Sequence, residues 1–119
     1  MKDFRNLAVW RKAHELTLAI YRATKSFPRE EEYGLKSQMR RASSSIAANI
    51  AEGCGKRTDA DFARYLQNAF GSANELEYFL LLAFDLGFLK KGDFEGLTTD
   101  TVEVKKMLAA FLRKLNADR

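Results

Sequence analysis

Apolar residues recur along this chain at spacings of three and four. No stretch alternates strictly, so the period predicts four helices and no strand. The second helix, over residues 33–53, is the most ordered. At 100° per residue, Leu35, Met39, Ala42, Ile46, Ile50 and Gly53 fall on one face as a core stripe. Gln38, Arg41, Ser45, Asn49 and Glu52 follow one margin of that stripe, and Lys36, Arg40 and Ser43 follow the other. Ala47, Ala48, Ala51 and Cys54 are small enough to let a neighbouring helix approach closely.

The first helix is predicted over 7–25, with Asn6 as its candidate cap and Phe4 placed to pack back on it. Leu7, Trp10, His14, Thr17, Leu18 and Tyr21 share one face, with Val9, Ala13, Leu16 and Ile20 beside it. This apolar arc covers nearly half the circumference, more than one bundle interior uses, and predicts a second contact within the chain or with another copy. Phe27-Pro28 ends the helix, and the acidic run Glu30, Glu31 and Glu32 suits the start of the next. Gly53 and Gly55 stop that second helix, and Thr58 with Asp61 resembles a capping box for the third.

The third helix, 59–86, is the longest. Phe62, Leu66, Ala69, Phe70, Ala73, Leu76, Leu80 and Phe84 form its core stripe. From Tyr78 onward it is apolar nearly all round, with Phe79, Leu82 and Leu86 pointing away from the stripe. Such a segment is either a subunit interface or a crowded bundle end covered by the loop around Phe88 and Leu89. We carry the first reading forward, with Val9, Leu16, Ile20, Phe79, Leu82 and Leu86 as the expected oligomer interface. The fourth helix, 93–116, has Asp93 as a candidate cap and a face of Leu97, Val104, Leu108, Phe111, Leu112 and Leu115. Four amphipathic helices with short connections predict an all-α, antiparallel up-down-up-down four-helix bundle occupying 1–119 as a single domain.

Charge adds an asymmetry to this plan. Net charge is +4 overall, yet residues 1–57 carry +6 and residues 58–119 carry −2. A basic first half permits attraction to phosphate, although a solvated basic face would look the same. A lone cysteine cannot close an internal disulfide, and no leader or long apolar span is present, so the expected location is cytoplasmic.

Candidate chemistry is sparse. A di-iron bundle site needs Glu-x-x-His pairs, but the only histidine is His14, and Arg11 stands three residues before it. One Cys and one His do not make a zinc site, so no metal and no cofactor are expected. Ser43, Ser44 and Ser45 have no histidine within helical reach to activate them. Cys54 has cationic neighbours Lys56 and Arg57 that favour a lowered pKa, but no partner base. The turn from Gly53 to Thr58 departs from a phosphate-loop pattern, because Ile50 stands where the first Gly belongs and Arg57 follows Lys56. An enzyme is therefore not expected.

Glu77 lies at the edge of the third helix's core stripe, where a carboxylate needs a partner. Arg41 is the expected one, within a structural network of Gln38, Arg41, Ser45, Asn49, Glu52 and Glu77. Lys36, Arg40, Lys56, Arg57 and Arg64 are freer and form the candidate phosphate-facing set, with Arg41 shared between the two roles. Lys56 and Arg57 stand beside the N-terminus of the third helix, which favours an anion. Few aromatic residues accompany these cations, so base stacking is not expected.

Several ordered motifs resemble a known family. They are Phe4-x-x-Leu7-x-Val9-Trp10-x-x-Ala13, then Phe27-Pro28 with Glu31-x-Tyr33-Gly34-Leu35. Gln38-Met39-Arg40-Arg41-Ala42, Ser45-Ile46, Asn49-Ile50-Ala51-Glu52-Gly53 and Gly71-Ser72-Ala73-Asn74-Glu75-Leu76-Glu77 follow in order. Together they look like the four-helix-bundle proteins of the 23S ribosomal RNA intervening-sequence family, related to the accessory protein of diversity-generating retroelements. The resemblance implies a left-handed bundle that assembles into a ring, typically a homopentamer, and relatives that bind nucleic acid and a reverse transcriptase. It places Arg40, Arg41, Lys56 and Arg57 at a charged ring surface. The resulting expectation is a non-enzymatic homo-oligomer that binds RNA or DNA through a basic surface. The alternative is a scaffold that docks a partner protein and has no nucleic-acid role.

Overall fold

The computed structural model describes residues 2–117. Its four helices are α1 (Ala8–Ala23), α2 (Leu35–Cys54), α3 (Asp59–Asp85) and α4 (Lys91–Ala117), with short 3-10 turns at Phe4–Asn6 and Arg29–Glu31. No strand occurs among the described residues. Successive helices pack side by side around a square that α1 and α4 close, and among the described residues no backbone contact joins the diagonal pairs. The bundle measures 46 × 22 × 20 Å, so its long axis follows the longest helices.

Local chemistry explains the boundaries. Asp3, rather than Asn6, caps the first turn, its carboxylate accepting from Arg5 N, and α1 starts after extended Leu7 without a side-chain cap. Glu30–Glu32 do not begin α2, because the backbone breaks at Gly34. Instead the Glu31 carboxylate accepts the Leu35 N–H at 2.9 Å and closes the start of the helix. Thr58 caps α3 by accepting from Asp61 N at 3.1 Å, as its position predicts. α3 ends in a Schellman turn: Phe88 N–H reaches back to Ala83 O, Gly87 N–H reaches Phe84 O, and Gly87 takes φ +82°. α4 begins two residues ahead of Asp93.

The core runs the length of the molecule. Leu16, Ile20, Met39, Ile46, Ile50, Phe62, Leu66, Leu76, Leu80, Val104 and Leu108 are its large, almost fully shielded members. The predicted stripe of α2 is buried throughout. The phase of α1 differs from expectation. Its buried residues are Val9, Ala13, Leu16, Thr17 and Ile20, whereas Trp10 lies at the margin and His14, Leu18 and Tyr21 are exposed. Thr17 is tolerated inside because its hydroxyl meets Ala13 O and, across the helix pair, Ser43 O, both at 3.0 Å. Val9, Leu16 and Ile20 are therefore core of the protomer and not oligomer interface.

At one end, Phe27 meets Phe88 at 5.5 Å and brings the α1–α2 and α3–α4 connections together. At the other, Phe62 at the start of α3 packs edge-on against Phe111 near the end of α4, and Lys2 N–H bonds Cys54 O. This antiparallel arrangement decides where the candidate cations lie.

Candidate nucleic-acid interface

The six cations marked by the sequence do not form one surface. Lys36, Arg40 and Arg41 belong to the end where α1 leads into α2. Lys56, Arg57 and Arg64 belong to the opposite end. Fifteen residues of helical rise separate Arg41 from Lys56, roughly 22 Å.

Two of the first group are occupied within the chain. The Lys36 ammonium meets Glu32 at 2.9 Å and is largely shielded. That hydrogen bond holds the Glu32 carboxyl below its usual range. Arg40 donates from Nε to Thr24 Oγ1 at 2.9 Å and from its guanidinium to Tyr21 O at 3.0 Å, with its plane 4.5 Å from the Tyr21 ring. It thereby ties α2 to the C-terminal end of α1, where carbonyls lack helical partners. Arg40 is a structural clamp rather than a free phosphate ligand. Arg41 is exposed, and its guanidinium makes no hydrogen bond or ion pair among the described residues.

The opposite end is different. Arg57 is exposed and unpaired, and Lys56 lies 5.0 Å from the Tyr65 ring. Arg64 approaches the same ring at 5.6 Å and meets Asp61 at 3.5 Å, an exposed pair that holds it weakly. Lys2, which sequence reasoning left out, joins them with its ammonium 4.9 Å from the Phe62 ring. Its recruitment follows from the Lys2–Cys54 backbone bond, for which the sequence carries no signal. Four cations thus surround the α2–α3 turn, beside the α3 N-terminus with its partial positive charge.

The polar network is smaller than expected and has another partner. Ser45 Oγ meets Ser72 Oγ at 3.0 Å, and Asn49 Nδ2 donates to Ser45 O and Oγ at 2.8 and 3.0 Å. Gln38, Arg41 and Glu52 are exposed outside it. Glu77 does not meet Arg41. It accepts from Lys105 at 2.8 Å in the α3–α4 seam. Ser72 and Glu77 are five residues apart and thus about 140° apart round α3, on opposite margins of its core stripe.

The geometry coincides with one family pattern. The model of the 23S rRNA-intervening sequence protein family matches residues 5–110, from the first turn through most of α4. The chain belongs to that family. Among solved structures, this family member is similar to an S23 ribosomal protein family protein of unknown function from Bacteroides thetaiotaomicron. The two share 29% identity over 88% of this chain and 98% of that one, with a TM-score of 0.80. No curated protein matches the chain.

The remaining reactive groups of this family member are quiet. Cys54 is buried, and burial pushes its thiol up, with the nearby Lys2 charge pulling it back only in part. The lowered pKa expected from Lys56 and Arg57 is therefore reversed. His14 is exposed and stacks on Trp10 at 5.0 Å. Among the described residues neither side chain is brought to a partner that would activate it.

Proposed function

We propose that this protein is a non-enzymatic homo-oligomer, a ring with five copies as the number implied by its family resemblance, that binds RNA or DNA by phosphate contact. The reading rests on the group of Lys2, Lys56, Arg57 and Arg64 at the α2–α3 turn, where among the described residues Asp61 is the one carboxylate in an ion pair with any of them. Repetition of that end around an oligomer would multiply modest contacts into useful avidity. Serine hydroxyls bonded to carbonyls or to another serine, a buried cysteine and an exposed histidine stacked on Trp10 support a binding role over catalysis. No described helix is long and apolar enough to cross a membrane. A cytoplasmic location is part of the proposal and rests on the lone cysteine.

The measurement is binding of nuclease-treated protein to a structured RNA and a matched duplex DNA across a salt series. Three neutralised phosphates per protomer would give a slope of log affinity against log salt near −2.7, and contact by several protomers a steeper one. Absence of binding at low salt would remove this reading and favour the partner-protein scaffold.

Self-association is supported by an apolar outward strip on α3. Tyr78 is 57% exposed, Leu81 47% and Leu86 54%, with Leu82 half-buried between them. Phe79, by contrast, packs partly on the core and faces the α2–α3 groove. Tyr78→Asp with Leu86→Asp should yield a smaller species in light scattering while keeping the helical spectrum, because both side chains are outside the core. An unchanged mass would show that this strip is not the contact.

A further inference from the structure

The α2–α3 face carries a groove of about 460 Å³, within the size range of small-molecule sites, that plain phosphate binding does not need. At its head stands Tyr33, 95% exposed and just ahead of Gly34. One wall is the free guanidinium of Arg41 with Gln38, the other is Glu75, and half-buried Phe79 supplies an apolar surface. The side chains of Gln38, Arg41 and Glu75 make no hydrogen bond or ion pair among the described residues, so their hydrogen-bonding capacity is unspent.

Each part has a counterpart in an unpaired nucleotide. A tyrosine ring has few rotatable bonds and offers a face on which any base can stack. A planar guanidinium suits two phosphate oxygens at once. An amide and a carboxylate can meet the donors and acceptors along a base edge. A base inside a duplex is stacked on both sides and cannot reach Tyr33. The same face continues past the neutral Ser45, Ser72 and Asn49 group to Tyr65 with Lys56 and Arg64. Exposed Glu52, near the basic end, and Glu75, in the groove itself, weaken the positive field along this face.

We propose that this groove is a subsite for one unpaired nucleotide of single-stranded RNA or DNA, its base on Tyr33 and its phosphate on Arg41. The inference rests on the nucleic-acid reading above and adds to it a preference for single strands. It also brings back the base stacking that the sequence did not suggest, because exposure of Tyr33 beside Arg41 is a tertiary fact.

The test uses fluorescence anisotropy with a short unstructured RNA, the DNA of the same sequence, and the matched duplex. Tyr33 and Arg41 are exposed, so Tyr33→Ala and Arg41→Gln should leave the fold intact, as circular dichroism would verify. Tyr33→Ala should weaken single-strand binding by about 5-fold or more without altering the salt slope or duplex binding. Tyr33→Phe should bind as the wild type does. Arg41→Gln should weaken binding and lower the slope by about one. The RNA and DNA arms show whether the sugar is distinguished. If Tyr33→Ala and Arg41→Gln bind single strands like the wild type, while reversal of Lys56 and Arg57 abolishes binding, the subsite is wrong and the basic end stands. If the wild type binds no probe, both readings fall.

Discussion

Lys56→Glu with Arg57→Glu should lower nucleic-acid affinity by on the order of 100-fold at moderate salt, with a salt slope shallower by about two. Both residues lie on the turn between α2 and α3, outside the core, and Arg57 engages no other group among the described residues. Under the proposed function, reversal removes two phosphate contacts and adds two repulsive charges per protomer, and a ring would repeat the change in every copy. The Lys56 contact with Tyr65 is worth only about 0.5–1 kcal/mol at an exposed site, so the fold should survive. Unchanged mass and melting temperature would therefore accompany the loss of binding. An unaltered affinity would show that this end is not the binding surface. Arg40→Glu is no substitute for this experiment, since it would also break the clamp on Thr24 and Tyr21.

Gly53→Val should destabilise the bundle by about 3 kcal/mol and lower its melting temperature by about 10 °C or more. Gly53 is where α2 and α3 approach most tightly among the glycines of the two helices. A Cβ added there would lie 2.9 Å from both Phe62 Cδ1 and Tyr65 Cβ. Tyr65 Cβ moves only with its backbone, and the Phe62 ring is buried against Phe111 at 5.3 Å. The helices must separate or the rings must leave their rotamers, and either opens the core. Gly53→Ala should cost less, because alanine's better helix propensity, about 1 kcal/mol, offsets part of the clash. Calorimetry that finds Gly53→Val melting with the wild type would mean the two helices slide apart without penalty. The same close approach holds Tyr65 in place between Lys56 and Arg64, so packing at Gly53 and the geometry of the basic end are coupled.

Much of the candidate site was legible as residue types but not as a surface. Lys36, Arg40, Lys56, Arg57 and Arg64 all read as cations outside the polar network, and Lys56 and Arg57 also stand beside a helix N-terminus, a feature local in sequence. In the structure Lys36 and Arg40 are held by Glu32, Thr24 and Tyr21. Nothing in the spacing separates a cation that reaches solvent from one that reaches a neighbouring helix end. Tyr33 belongs to a family motif, but its exposure has no sequence signal, since an aromatic residue beside a turn can be tucked in or exposed.

The sequence by itself determined the four helices, their order and most of their boundaries. These depend on interactions within a few residues: the 3.6-residue period, Thr58 as a cap and Gly55 just beyond the end of α2. Ordered motifs along nearly the whole chain determined the family. Only the tertiary structure decided the rotation of α1, the pairing of Glu77 with Lys105, the recruitment of Lys2 and the separation of the cations between two ends. Periodicity sets angles within one helix and leaves open how that helix is turned against its neighbours. In α1, apolar residues span nearly half the circumference, so several rotations satisfy the pattern. Packing chose the one in which Val9, Ala13, Leu16 and Ile20 face inward and Thr17 bonds across to α2, leaving the indole, the imidazole and the phenol of Tyr21 at the edge.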